Sequence, residues 1–186
     1  NLSSLQIGPS PRDGNHSLAY LTNVVNASGC ILSPHYATPE FISNLSFSFD
    51  HWRSMASDDA AWVEYTLDNQ SSWQQLIPTT GYSDSVTTNH HNLTQSLSSV
   101  WSGDDEQWTR TRFELDSLAN IGNSETMRFR LCIAVGTSNS PREGWFIDNV
   151  TWQNDGDQPG AWFHGNLTGD YAPNADGTLV MPINFS

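Results

Sequence analysis

The sequence predicts an all-β chain folded as an antiparallel two-sheet sandwich. Three observations predict it. Apolar and polar residues alternate with a period of two along much of the chain, helical periodicity is hard to find, and polar turns rich in Gly and Ser separate the alternating runs. Strands of this kind carry one apolar face each, and two sheets bury those faces by closing on each other.

The elements follow in order. Leu45, Phe47, Phe49 and His51 point one way, with Ser46, Ser48, Asp50 and Trp52 opposite. Val63, Tyr65 and Leu67 share a face against Trp62, Glu64 and Thr66. The polar span 79–102, with His90 and His91 inside it, reads as a long loop, and loops of that length are usually functional or mobile. The acidic turn Ser102-Gly103-Asp104-Asp105-Glu106 closes it. Thr111, Phe113 and Leu115 then oppose Arg110, Arg112 and Glu114, and one short helical turn is expected over 117–121. Met127, Phe129, Leu131, Ile133 and Val135 form the longest apolar face. Gly144-Trp145-Phe146-Ile147-Asp148-Asn149-Val150 is the last strand of this set.

Beyond it lies a polar linker, 153–160, and then a run over 178–185 in which Leu179, Met181, Ile183 and Phe185 project to one side of a strand. Burying each of those side chains is worth roughly 1.5 to 3 kcal/mol, so the run is expected to dock. Pro182 removes one ladder donor and suits an edge position. Two outcomes are open: donation to a neighbouring subunit, which is the expected one, and fold-back onto the parent sandwich.

Composition bounds the function. The chain has 186 residues, enough for one domain with extensions, and a net charge of -13 with no Lys and seven Arg. Phosphate backbones would be repelled, so nucleic acid is not an expected partner. The acidity fits either simple solubility or adaptation to salty water. No apolar run is long enough to span a bilayer and no signal peptide is visible, so a mature product or a segment of something longer is expected.

Compartment is read from Asn and Cys. Asn-x-Ser/Thr occurs at Asn1, Asn15, Asn26, Asn44, Asn69, Asn92, Asn149, Asn166 and Asn184, nine of the sixteen Asn. Chance would give about 3 to 4 for a motif this short, so several N-linked glycans and an extracellular or cell-surface location are expected. Loop and turn sites, Asn15, Asn69, Asn92 and Asn166, are the best acceptors, and Asn149, in the closing strand, is the poorest. Cys30 and Cys132 are the right number for one disulfide in an oxidising compartment; two buried thiols acting as small hydrophobes are the alternative.

Two segments carry a resemblance to a known group. Asp59-Ala60-Ala61-Trp62-Val63-Glu64-Tyr65-Thr66, followed by Asp68 and Trp73, and the closing Gly144 to Val150 strand resemble the jelly-roll β-sandwich modules of secreted and surface proteins, the MAM-like and cleaved-adhesin-like group. Those modules carry patterns like D-G-A-x-V-E-Y-S-x-D-G-G-x-x-W and G-W-x-I-D-D-V. Here Ala60 replaces a Gly and Asn149 replaces the second Asp. The resemblance covers 18–152 and implies a jelly roll, leaving 1–17 as an N-terminal extension and 153–186 as linker and terminal strand. It implies no single function, since such modules mostly bind, adhere or assemble.

The usual catalytic constellations are missing from the sequence: there is no Gly-x-Ser-x-Gly elbow, His-Glu-x-x-His helix or glycine-rich phosphate loop. A secreted hydrolase working through two carboxylates is kept as the minor alternative. Structural Ca2+ is the better inorganic guess, with Asp59 and Asp148 at the group's acidic positions and Asp58 beside the first; ordinary turn chemistry is the rival account of these residues. Trp52 and Trp62, opposite the core faces, are candidate sugar-stacking rings or covered aromatics. The expected function is a non-enzymatic, glycosylated surface subunit that assembles with copies of itself or other surface proteins and glycans. The alternative is a carbohydrate-binding or adhesion module of a larger secreted protein.

Overall fold

The computed structural model describes residue 12 and residues 17–20, 25–34, 36–37, 45–67, 72–85, 99–119, 126–138 and 142–153. Nine strands occur among them: β1 (Leu18–Tyr20), β2 (Ser28–Leu32), β3 (Tyr36–Ala37), β4 (Ser46–Ser54), β5 (Ala60–Thr66), β6 (Gln74–Leu76), β7 (Asp105–Glu114), β8 (Thr126–Ala134) and β9 (Gly144–Gln153). The expected helical turn forms as α1 (Asp116–Ala119), one residue earlier at its start. The terminal run 178–185 and the centre of the 79–102 loop, with His90 and His91, lie outside the described residues.

The sheets are antiparallel. The first has the order β1-β9-β4-β7, and the second β2-β8-β5-β6, with β3 pairing further along β8. The chain crosses between sheets from β1 to β2, β3 to β4, β4 to β5, β6 to β7, β7 to β8 and β8 to β9, which is the winding of a jelly roll.

The alternating faces meet as the sequence reading expects. Phe47 and Phe49 of β4, Phe113 of β7 and Trp145 and Ile147 of β9 face Val63 and Tyr65 of β5 and Met127, Phe129, Leu131 and Ile133 of β8 in one buried cluster. Phe47 stacks on Phe129 with ring centroids 4.8 Å apart, joining the two sheets at the centre. Beside them, Trp101 enters the core from the end of the long loop. It is held by reciprocal backbone bonds, Ala61 N–H to Trp101 O at 2.8 Å and Trp101 N–H to Ala61 O at 2.9 Å.

Two departures from simple alternation matter. First, β4 and β5 are buried along their whole length, outer faces included. Both are central strands, so neighbours on each side lay long side chains across the outward positions. Second, the β4–β9 register slips: Asp50 pairs with Asp148 and Ser48 with Thr151, so Phe49 faces both Asn149 and Val150. This is a β-bulge on β9, and Asn149 adopts φ +49° to make it. The extra residue puts Ile147 and Val150 both against the core while Asp148 and Asn149 stay on the polar outer side. Strict alternation would have turned Asn149 inward.

Cys30 and Cys132 sit directly opposite each other in the β2–β8 ladder and form a disulfide. Cys132 is fully buried on the outer face of the second sheet, beside Trp62, while Cys30 is exposed on the edge strand.

Candidate functional site

The bulge organises the most polar part of the first sheet's outer face. Asp50 is buried there although it carries a carboxyl group. Asn149 Nδ2–H donates to Asp50 Oδ2 at 2.8 Å. Arg110 lies 3.6 Å from the other Asp50 oxygen, and Arg12 Nε lies 3.8 Å from Oδ2. Arg110 also donates to the Asn149 carbonyl at 3.0 Å, to Ser48 Oγ at 2.7 Å and to Thr151 Oγ1 at 3.2 Å. Asp148 accepts the Arg12 backbone N–H at 2.8 Å and the Asn149 N–H at 2.7 Å. Asp50 and Asp148 are direct cross-strand neighbours, a repulsive arrangement unless cations and amides sit around it, as they do here. The chemistry is that of a clasp: Arg110 ties β7 to β4 and β9, and Arg12 reaches the same spot.

Asp58 and Asp59 form a second polar node, at the turn between β4 and β5. Asp59 accepts Ala56 N–H on one oxygen and Gly136 N–H on the other, at 2.8 and 2.9 Å. Asp58 Oδ2 accepts Thr137 N–H at 2.7 Å and Ser138 N–H at 3.0 Å. Burial pushes the Asp58 pKa up, but these N–H donors outweigh it and hold the carboxyl below its usual range. The pair therefore anchors the loop after β8 to the turn before β5. Gly136 permits the approach, since a Cβ there would strike the Asp58 carboxylate and lie 2.6 Å from its carbonyl oxygen.

The structure does not gather Asp58, Asp59 and Asp148 into the ligand set expected for calcium. The first two precede β5 of the second sheet, and Asp148 is on the outer face of the first. Among the described residues, no three His, Cys, Asp or Glu side chains converge in the way a metal ion requires.

Of the two readings of Trp52 and Trp62, sugar-stacking rings or covered aromatics, the structure shows covered aromatics. Trp62 is 1% exposed, packed with Val100, Cys132 and Tyr82, and its Nε1–H donates to Glu64 Oε1 at 2.8 Å. Trp52 packs edge-on against Phe146 at 5.5 Å and lies with Ala19 and Trp108. Both are covered because β4 and β5 are central strands, so neither offers the open face a sugar needs. Glu64 below Trp62 pairs with Arg130, which lies over Trp73 at 4.2 Å.

Of the nine sequons, only Asn26 and Asn149 fall among the described residues. Asn26 is exposed in a turn, whereas Asn149 is the bulge residue bonded to Asp50. Asn1, Asn15, Asn44, Asn69, Asn92, Asn166 and Asn184 lie outside, as do Leu179, Met181, Ile183 and Phe185.

Two buried groups were not singled out in advance. His51 lies in the core between Trp101 and Trp145. Trp145 Nε1–H donates to its Nδ1 at 3.2 Å, and an indole only donates, so the His51 proton sits on Nε2 and is given to Thr111 Oγ1 at 3.1 Å. Burial, with a contribution from Arg53, pushes its pKa down to about 3. Arg53, also buried, bonds to the Ser102 carbonyl and Ser83 Oγ and pairs with Asp105 at 3.3 Å. The signal for His51 was its place on the Phe47–Phe49 face; for Arg53 no signal existed, since its partners come from the loop ends.

No known protein family model matches this chain, and no curated protein matches it either.

Proposed function

We propose that this protein is a non-enzymatic, glycosylated extracellular subunit that assembles with copies of itself, in a filament or surface layer, by strand addition. One observation carries the reading. Among the described residues the two sheets, the core and the disulfide all lie within 18–153, and in the sequence the alternating run with Leu179, Met181, Ile183 and Phe185 follows after the further stretch 154–177. Main-chain bonds to a sheet edge would supply affinity for such a run, and pockets for its four alternate side chains would supply specificity.

The exit point supports it. Gln153, the last described residue of β9, pairs with Ser46, and Ser46 with Glu114, so it lies two strand spacings, roughly 10 Å, from the end of β7. From there 154–177 has ample reach to a neighbour. The disulfide between β2 and β8 and the density of sequons fit an oxidising, extracellular setting. Among the described residues no helix is long and apolar enough to cross a membrane.

The test is deletion of the residues after Asp176. The truncated chain is expected to keep the melting transition of the sandwich and to lose self-association in sedimentation. A truncated chain destabilised by several kcal/mol, with the full-length chain monomeric, would mean that the strand folds back instead.

A further inference from the structure

The chain contains two sequons of identical chemistry whose surroundings are described, Asn26-Ala27-Ser28 and Asn149-Val150-Thr151, and the fold treats them oppositely. We propose that Asn26 is a glycan acceptor and that Asn149 is a structural amide left unmodified. This rests on the extracellular reading above and deepens it by assigning the site.

Asn26 stands in the exposed turn that leads into β2, with φ +56°. The turn is fixed through its backbone: Asn26 N–H donates to the Gly136 carbonyl at 3.0 Å, and Val135 N–H donates to the Ala27 carbonyl at 2.7 Å. Backbone bonds thus hold the position while the residue itself is exposed, and a transferase needs such an exposed Asn to reach Nδ2. The left-handed conformation is one that Asn tolerates better than most residues, so the same side chain suits the turn and the modification.

Asn149 has the opposite arrangement. Its Nδ2–H is spent on the buried carboxylate of Asp50, and its own backbone carbonyl is held by Arg110. Glycosylation forms a bond from Nδ2 to C1 of a sugar carried on a lipid phosphate, breaks the C1–O bond to that phosphate, and releases one Nδ2 proton. The product keeps a single N–H. A sugar at Asn149 would have to share the space beside Asp50 with the Arg110 and Arg12 side chains.

The consequence concerns assembly. A glycan on Asn26 stands at the start of β2, an edge strand of the second sheet, and beside the exposed Val25. A bulky hydrated group there obstructs edge-to-edge pairing at that strand and directs strand addition to another edge.

Fragmentation mass spectrometry of peptides from the native protein reads both positions. The expected result is a glycan mass on Asn26 and an unmodified Asn149, with Ser28→Ala removing one glycan from the intact mass. Bare Asn26 beside glycans on other sequons would overturn the site assignment and leave the extracellular reading standing. Bare Asn at all nine sequons would overturn both. A glycan on Asn149 in folded protein would also overturn the assignment.

Discussion

Protonation of His51 should dominate the loss of stability in acid. In the unfolded chain its imidazole takes up a proton near pH 6.5, whereas in the folded chain burial defers this to about pH 3. Between those values the unfolded state binds one more proton than the native state, so stability falls as the pH drops through the window and is unaffected above it. Each pH unit is worth about 1.4 kcal/mol, so about 2 to 3 kcal/mol is lost by roughly pH 4.5, and nearly 5 kcal/mol across the window. That is a large part of the roughly 5 to 15 kcal/mol expected of a domain. The control is His51→Gln, whose amide can still accept from Trp145 Nε1–H and donate to Thr111 Oγ1 without titrating. Urea unfolding of both proteins at about pH 7.5 and pH 4.5 measures the effect, and carboxylates common to both cancel in the difference. The wild type should lose about 2 to 3 kcal/mol more than the variant. Equal losses would refute the buried neutral imidazole.

Other consequences are as direct. Gly136→Ala should destabilise by about 1 to 3 kcal/mol in thermal melts, because its Cβ collides with Asp58. Replacing both Cys30 and Cys132 by Ser should cost roughly 2 to 5 kcal/mol, since the bond closes a separation of 102 residues. Asn149→Ala should cost about 1 to 3 kcal/mol, both for the left-handed φ and for the amide taken from buried Asp50. Excess chelator should leave the melting temperature unchanged, because backbone N–H groups already engage Asp58 and Asp59; a drop of several degrees would restore calcium to the account.

Much of the fold was legible because the core strands obey a period of two. The faces of Phe47 and Phe49, of Val63 and Tyr65, and of Met127 to Ile133 follow directly from alternation, and they form the core. Strands β1, β3 and β6 are two or three residues long, too short for any period to show. The bulge at Asn149 was hidden for a different reason: it breaks the period, and only the β4 partner reveals the slip. Burial of Trp52 and Trp62 also depended on neighbours. Alternation places them on the outer face, but central position in the sheet decides that the outer face is covered. The polar nodes are non-local in the same way. Asp50 meets Arg110 and Asn149, and Asp59 meets Gly136, through sheet register that no sequence spacing encodes.

Donation of the terminal strand is the central claim, and a crosslink between copies tests it most directly. Light- and heavy-isotope copies of the full-length protein would be mixed during assembly, with a photo-reactive methionine analogue in place of Met181, and crosslinked peptides sorted by isotope. The account predicts crosslinks from residue 181 to the sandwich in mixed light–heavy pairs. Crosslinks found only within one isotope, in protein that stays monomeric at high concentration, would show that the strand serves its own chain and would contradict the claim.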